Sequence, residues 1–264
     1  RIMIGKKTII DIIKISKNKS SFTKEKITLS NLNETIYVRH KNADMPAYIH
    51  GNATNKVFLI ILHGGPGADA LLYRLNTMRS KIEKNNAVVY FDQRGSGNSE
   101  GHYSAEDLSI DIMAEDVLAL VEVIKAKYGE DSRLFLMGHS WGGTLGPAVL
   151  LKNQSNFSGW INVDGSHDPK GEYNAYQIRL NEIANDQIAL GNSIAYWKSV
   201  LDLVKNTDPN YNPLDYGFLN QAAGVAEERL EADKVINETK VELGDKPQSI
   251  NELKFIWNEW KTNG

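Results

Sequence analysis

The pentapeptide Gly138-His139-Ser140-Trp141-Gly142 separates two apolar stretches of the chain. The stretch before it reads Arg-Leu-Phe-Leu-Met, and the stretch that follows Gly143 reads Thr-Leu-Gly-Pro-Ala-Val-Leu-Leu. A serine between two glycines at such a junction has two interpretations. It is a nucleophile held on a sharp turn between a strand and a helix, or it is one residue of a glycine-rich connection. The surrounding sequence favours the first.

Four short apolar runs along the chain each end in polar or glycine-rich residues. Continuous apolar runs of four to six residues are typical of strands that are buried on both faces, as in a parallel sheet. The runs are Val57–Leu62, Ala87–Phe91, Leu134–Met137 and Trp160–Val163. Because ligands bind outside the carboxyl ends of such strands, the segments that follow the runs are expected to converge on one site.

Helical patterns alternate with these runs. The segment Leu108–Tyr128 carries an apolar stripe at helical spacing, formed by Ile112, Val117, Leu120, Val121 and Ile124. Two further helices are predicted, one over Ala70–Lys84 and one directly after Ser140. The alternation predicts an α/β fold with a doubly wound, mostly parallel sheet. An antiparallel hairpin is predicted at the sheet edge, over Glu25–His40 and Ala47–His50.

The sequence changes character after about Pro169. No further buried-strand run follows, and Asn/Pro/Asp-rich turns separate four predicted helices, Tyr176–Leu190, Ser193–Lys205, Leu219–Val235 and Ile250–Trp260. The sequence therefore predicts that residues 1–168 form the N-terminal part of the α/β core and that residues 169–264 form an inserted helical cap.

Composition excludes several classes of function. The chain has 264 residues and a net charge of −3, from 30 basic and 33 acidic residues, which gives no electrostatic footprint for nucleic acid. The chain contains 0 cysteines, which excludes disulfides, thiolate metal sites and a cysteine nucleophile. No apolar stretch approaches the ~18 residues of a membrane span. We expect a cytoplasmic protein; because the chain begins at Arg1, export or tethering through an upstream segment is the alternative.

The pattern Gly-x-Ser-x-Gly has a specific chemical logic at a strand-to-helix turn. A nucleophile there has a strained backbone, and side chains two residues before and after it would collide with neighbouring elements. Glycine at 138 and 142 removes that conflict. The helix that starts at about Trp141 also directs its positive end at the serine, where an oxyanion would form. Ser140 is therefore the predicted nucleophile.

Two other glycine-rich segments offer rival interpretations. The segment Gly65-x-Gly67-x-x-Ala70 follows a predicted strand and fits a dinucleotide fingerprint, with Asp92 in place of the ribose-binding acid. That hypothesis leaves the Ser140 segment unexplained and requires a proline inside the fingerprint. Ser96 also lies between glycines, but no apolar helix follows it directly. We expect Asp92 and Arg94 to satisfy backbone groups and each other.

Three motifs together resemble those of the α/β-hydrolase superfamily and, within it, the proline iminopeptidase-like group. The motifs are HGGPG at His63–Gly67, DQRGSGNS at Asp92–Ser99 and GHSWGG at Gly138–Gly143, and the resemblance covers about Lys24 to Asp164. It implies that Ser140 is the nucleophile and that the N–H groups of Gly65 and Trp141 form the oxyanion hole.

The same resemblance implies a serine hydrolase that forms an acyl-enzyme and releases an amino-terminal residue, such as proline, from small peptides. It implies no metal and no organic cofactor. A carboxylesterase or lipase with the same machinery is the alternative, because the motifs define the chemistry and not the leaving group. A non-catalytic binding module is a more remote alternative, as is a dinucleotide-binding domain.

The catalytic acid and base are the point at which this sequence departs from the family. The order in such triads is Ser, then Asp or Glu, then His, and His167 is the only histidine after Ser140. We expect the acid and the base beyond Gly264, in a later segment or a second chain that completes the core. This chain alone would then lack a competent triad. The alternative is that Asp164 and His167 complete the site.

The remaining candidates receive structural interpretations. We expect His139 to be a packing residue, because consecutive side chains diverge on a sharp turn, and His63 to hold the oxyanion loop by hydrogen bonding. Cap carboxylates of the family receive a peptide's free amino terminus, and Glu182, Glu227 and Glu228 are candidates. Most acidic residues on helices, however, lie on solvated faces, so no substrate-binding residue is assigned.

Overall fold

A computed structural model of the chain describes residues 2–3, 29–104 and 106–236. These residues divide into two compact units, and the boundary lies between Gly165 and Ser166. Each unit is described separately. The predicted helix Ile250–Trp260 and the first residues of the predicted hairpin lie outside the described residues.

The first unit contains one mixed sheet with eight described strands. They are β1 (Ile2–Met3), β2 (Leu32–His40), β3 (Ala43–Gly51), β4 (Val57–Leu62), β5 (Ala87–Phe91), β6 (Glu100–Gly101), β7 (Arg133–His139) and β8 (Phe157–Val163). The order across the sheet is β1-β2-β3-β5-β4-β7-β8, and β6 pairs with β3. Strands β5, β4, β7 and β8 are mutually parallel, while β3 is antiparallel to β2, β5 and β6. The predicted fold class is confirmed.

The central strands are buried because helices or turns cover both faces of the sheet. Every residue of β5 is buried, and the predicted bounds of β4 and β5 match the observed ones. Helix α1 (Ile110–Tyr128) and helix α2 (Trp141–Asn153) pack on one face, and the main core forms there. Of the predicted apolar stripe, Val117, Leu120, Val121 and Ile124 are fully buried.

Two predictions about the first unit are wrong. The segment predicted as one helix over Ala70–Lys84 instead forms a short 3₁₀ turn at Ala70–Tyr73 and one wide helical turn at Met78–Ile82. The strand β8 is not buried on both faces, because among the described residues β7 is its one strand neighbour, and Ile161 is 45% exposed.

The second unit consists of helices in its described part. They are α3 (Pro169–Leu190), α4 (Ile194–Asn206) and α5 (Pro213–Ala232). Buried residues such as Tyr173, Trp197 and Leu219 form a separate core among these helices. The polar turns of the sequence serve as helix caps, since Asn212 accepts hydrogen bonds from the N–H groups of Leu214 and Asp215.

Among the helices of the described ranges, none combines the length and apolar character that crossing a membrane requires.

Candidate active site

Ser140 occupies a strained position between β7 and α2. Its backbone has φ 51° and ψ −118°, a conformation that residues other than glycine rarely adopt. Its N–H donates to the carbonyl of Val163 at 3.2 Å, and its own carbonyl accepts from Gly143 N–H at 2.8 Å. Strand β7 ends one residue before the serine and α2 begins one residue after it. The chain therefore reverses direction at the serine itself.

The flanking glycines are required by direct contact with neighbouring backbone. A Cβ atom on Gly138 would lie 2.2 Å from the carbonyl oxygen of Gly142, and a Cβ on Gly142 would lie 2.1 Å from the carbonyl oxygen of Leu62. Both distances are far below van der Waals contact. The predicted reason for glycine at these two positions agrees with the geometry.

The loop that follows β4 lies against the serine. A Cβ on Gly64 would be 3.2 Å from Ser140 Cβ, so a side chain at position 64 would crowd the serine. Gly65 has φ 117°, and a side chain there would approach the Gly67 nitrogen at 2.7 Å. The glycines thus allow the backbone of the loop to approach the site without a side chain between them.

Gln93 connects this loop to the first turn of α2. Its side-chain amide donates to the carbonyl of His63 at 2.9 Å, its backbone N–H donates to His63 Nε2 at 3.2 Å, and its Oε1 accepts from the Trp141 indole N–H at 3.1 Å. One buried glutamine therefore joins all three motifs. The sequence analysis assigned no role to Gln93. The available signal was its position in the polar segment that follows the buried strand β5.

His63 is a neutral structural residue. Burial lowers the pKa of His63 to about 4, and this effect exceeds that of the hydrogen bond with the Gly64 carbonyl, which raises the pKa. Because Nε2 accepts from Gln93, the ring proton lies on Nδ1, which donates to the carbonyl of Gly64 at 2.8 Å. The geometry agrees with the role predicted for His63.

His139 does more than pack. Its Nδ1 lies 2.7 Å from the hydroxyl of Tyr73, and the same hydroxyl accepts from Gly64 N–H at 2.8 Å. The two rings also contact, with centroids 5.6 Å apart. The interpretation of His139 as a packing residue is therefore incomplete. Tyr73 was missed, because the segment around it was assigned to a regular helix.

Asp92 organises the loop after β5. Its carboxylate accepts from Ala70 N–H at 2.9 Å, from Asn98 N–H at 2.8 Å and from the Tyr48 hydroxyl at 3.2 Å. Burial is the main cause that raises the pKa of Asp92 to about 6, against the lowering effect of the N–H donors.

Arg94 pairs with a different carboxylate from the one predicted. Its guanidinium donates to both oxygens of Asp116 on α1, at 2.8 and 2.7 Å, and both side chains are buried. The expectation that Asp92 and Arg94 satisfy each other is wrong. Asp116 also lies 2.6 Å from His40 Nδ1, so one carboxylate of α1 anchors the ends of two strands.

The dinucleotide interpretation does not fit this geometry. A short 3₁₀ turn follows Gly67 where the fingerprint requires a helix that receives a pyrophosphate. The carboxylate of Asp92 is buried and already bound to backbone N–H groups. A ribose hydroxyl has no place at that carboxylate.

Of the remaining candidates, one belongs to the first unit and four belong to the second. Asp164 is an exposed residue with φ 45° near the end of the first unit, and His167 is an exposed residue of the second unit. In the second unit Glu182 pairs with Arg179, while Glu227 and Glu228 are exposed. The half-buried Glu172 accepts instead from the hydroxyls of Ser166 and Tyr216, at 2.8 and 2.6 Å.

The mixed sheet and the strained serine between strand and helix define an α/β hydrolase. Residues 53–201, more than half of the chain, match the family described as serine aminopeptidase, S33. The chain belongs to that family, as the motifs predicted.

Individual relatives match this chain over part of their own length. The chain is 28% identical over 149 residues to a probable aminopeptidase, YbaC, of Bacillus subtilis (strain 168), a match that covers 56% of this chain and 46% of that protein. It is 37% identical over 108 residues to the proline iminopeptidase of Thermoplasma volcanium, covering 40% of this chain and 34% of that enzyme. Both matches span less than half the length of the relative.

Among solved structures, the chain is similar to a proline iminopeptidase-related protein from Thermus thermophilus. The identity is 24%, the match covers 77% of this chain and 73% of that chain, and the TM-score is 0.47.

Adding one methyl group at Gly142 tests the close approach between α2 and β4. We expect Gly142→Ala to lower the free energy of unfolding by about 1–3 kcal/mol, because the new Cβ overlaps the Leu62 carbonyl. Urea denaturation measures the change. The control is Gly224→Ala in α5, where a Cβ meets nothing within 4 Å and alanine should stabilise the helix by about 0.5–1 kcal/mol. Equal stability of Gly142→Ala and the wild type would contradict the geometry.

Asp92 predicts a specific pH dependence of stability. Its pKa is higher in the folded protein than the value of 3.8 for a free side chain, so the folded state binds more protons between pH 3.8 and about 6. Its contribution to stability is therefore fully present below pH 3.8 and is lost as the pH rises through about 6. We expect the unfolding free energy of the wild type minus that of Asp92→Asn to increase by about 2 kcal/mol between pH 7 and pH 4.

Urea denaturation of both proteins at several pH values measures this difference. Titration of His63 is common to both proteins and cancels in the subtraction. A difference that stays constant with pH would show that Asp92 does not titrate in this range.

Proposed function

We propose that this protein is a serine hydrolase that forms an acyl-enzyme at Ser140, and that it is an aminopeptidase of the proline iminopeptidase type. The observation that carries the proposal is the backbone of Ser140, which is strained between two glycines that admit no side chain. Such strain persists only where the surrounding structure enforces it, and it exposes the serine hydroxyl at the edge of the sheet. The named aminopeptidase relatives support the peptidase assignment.

In this proposal the N–H groups of Gly65 and Trp141 stabilise the oxyanion. The Gly64 N–H is already bound to the Tyr73 hydroxyl. Among the described residues, the Gly65 and Trp141 N–H groups have no hydrogen-bond partner. Trp141 is the first residue of α2, so the positive end of the helix dipole adds to its effect.

The general base comes from outside the three motifs. Both ring nitrogens of His63 are engaged in its neutral form, and the Nδ1 of His139 is engaged with Tyr73. A serine hydroxyl remains protonated near neutral pH, so attack requires a base that accepts its proton. Asp164→Asn and His167→Ala variants test the alternative in which these two residues are the acid and the base.

Covalent labelling tests the nucleophile. We expect a fluorophosphonate probe to add to Ser140, with the adduct located by peptide mass spectrometry, and we expect no adduct on Ser140→Ala. The matched control is Ser96→Ala, because Ser96 also lies between two glycines but is buried in the loop after β5. Its labelling should equal that of the wild type. An adduct that persists in Ser140→Ala would assign the nucleophile to another residue.

Paired substrates test the leaving group. In a preparation that contains the catalytic acid and base, we expect hydrolysis of a prolyl-arylamide that depends on Ser140, and slower hydrolysis of a short acyl ester of matched size. The same Ser140→Ala variant provides the background rate for both reactions. Turnover of the ester alone would favour the carboxylesterase or lipase alternative.

A further inference from the structure

The hydroxyl of Tyr73 joins the loop after β4 to the strand that carries the nucleophile. It accepts from Gly64 N–H at 2.8 Å and lies 2.7 Å from His139 Nδ1. Gly64 directly precedes one proposed oxyanion donor, Gly65, and His139 directly precedes Ser140. One side chain therefore connects the two backbone segments whose separation determines the geometry of the site.

The direction of one of these hydrogen bonds follows from the atoms involved. The Gly64 N–H can only donate, so it occupies a lone pair of the phenol oxygen. Burial raises the pKa of Tyr73, so the phenol keeps its proton and can donate it. The Nδ1 of His139 donates to the phenol oxygen or accepts from it, according to the tautomer of the ring.

The backbone under Tyr73 is itself held in place. The 3₁₀ turn Ala70–Tyr73 is capped by Asp69, whose carboxylate accepts from Leu71 N–H at 2.8 Å. The Ala70 N–H donates to Asp92 at 2.9 Å. Two buried carboxylates therefore fix the turn that presents the phenol.

The space around Gly64 leaves little freedom. The position of a Cβ on Gly64 would be 3.1 Å from the Tyr73 hydroxyl, 3.2 Å from His139 Nδ1 and 3.2 Å from Ser140 Cβ. A side chain at position 64 would therefore crowd the phenol, His139 and the serine. A shift of the Gly64 backbone would also move the N–H of Gly65, the next residue along the chain.

We propose that Tyr73 is a positioning residue for catalysis, which links the His63–Gly64 peptide to His139 and, through the next peptide along the chain, directs the Gly65 N–H at the oxyanion. This inference rests on the proposed function of Ser140 and Gly65. Tyr73 itself does not touch the reacting atoms. It acts by satisfying the N–H of Gly64 and leaving that of Gly65 for the transition state.

Removal of the hydroxyl tests this role with two readouts. In Tyr73→Phe we expect the rate of fluorophosphonate labelling at Ser140 to fall by up to ~10²-fold, the scale of a misplacement of about 1 Å. With the prolyl-arylamide, kcat should fall while KM stays nearly constant, because the lost interaction acts in the transition state. Independently, the Gly64 amide should exchange its hydrogen about tenfold faster, because it loses its acceptor.

Tyr128→Phe is the matched control. The Tyr128 hydroxyl donates to Glu34, and its ring contacts Phe58 near the start of β4, at the opposite end of the strand from the loop. This variant should change neither the labelling rate nor the exchange of Gly64.

The outcomes are distinguishable. Unchanged labelling in Tyr73→Phe overturns the inference, whether or not Gly64 exchange accelerates, and so does unchanged Gly64 exchange. If the wild type is not labelled at all, the proposed function fails. Gly64 exchange then still tests the hydrogen bond between Tyr73 and Gly64. Faster exchange in Tyr73→Phe but not in Tyr128→Phe supports this bond, and equal rates in all three proteins contradict it.

Discussion

The close approach between the first turn of α2 and the end of β4 is the constraint on which the rest of the site depends. With a hydrogen atom in place of a side chain, Gly142 lies directly over the Leu62 carbonyl, where a Cβ would be only 2.1 Å from the oxygen. The contact forces the chain to turn within one residue, and that residue is Ser140 with its positive φ. The strain at the serine is therefore a consequence of helix–strand packing, which the buried core beneath it maintains.

Uncharged hydrogen-bonding groups join the loops next to this turn. His63 is neutral because burial disfavours its cation, and Gln93, Tyr73 and the backbone supply directional hydrogen bonds. The buried ion pair between Arg94 and Asp116 lies on the α1 side of the loop. Placing the charge there anchors the loop to the helix and leaves neutral groups next to the serine.

The sequence predicted those features that depend on local pattern. The bounds of β4 and β5 follow from continuous apolar runs, and the position of Ser140 at a strand-to-helix turn follows from the spacing of the glycines around it. The interval Ala70–Lys84 was predicted wrongly, because long-range bonds override helical propensity there. Asp92 captures the Ala70 N–H from 22 positions away along the chain, and the Tyr73 phenol binds Gly64 and His139. Partners of this kind leave no periodic signal in the sequence.

The partner of Arg94 shows the same limit, because only the packing of α1 brings Asp116 rather than Asp92 to the guanidinium.

Under the proposed function, these bonds also explain why two donors remain unused. Buried N–H groups are normally paired, and in these loops the N–H groups of Gly64, Ala70, Gln93 and Asn98 all have acceptors. The N–H groups of Gly65 and Trp141, by contrast, have no acceptor within the described part of the chain. A donor that is fixed in position but unpaired in the free protein gains its full interaction only when charge develops on the substrate oxygen. Because the neighbouring N–H groups are already paired, the N–H groups of Gly65 and Trp141 are then the ones that remain available to bind the oxyanion in the transition state.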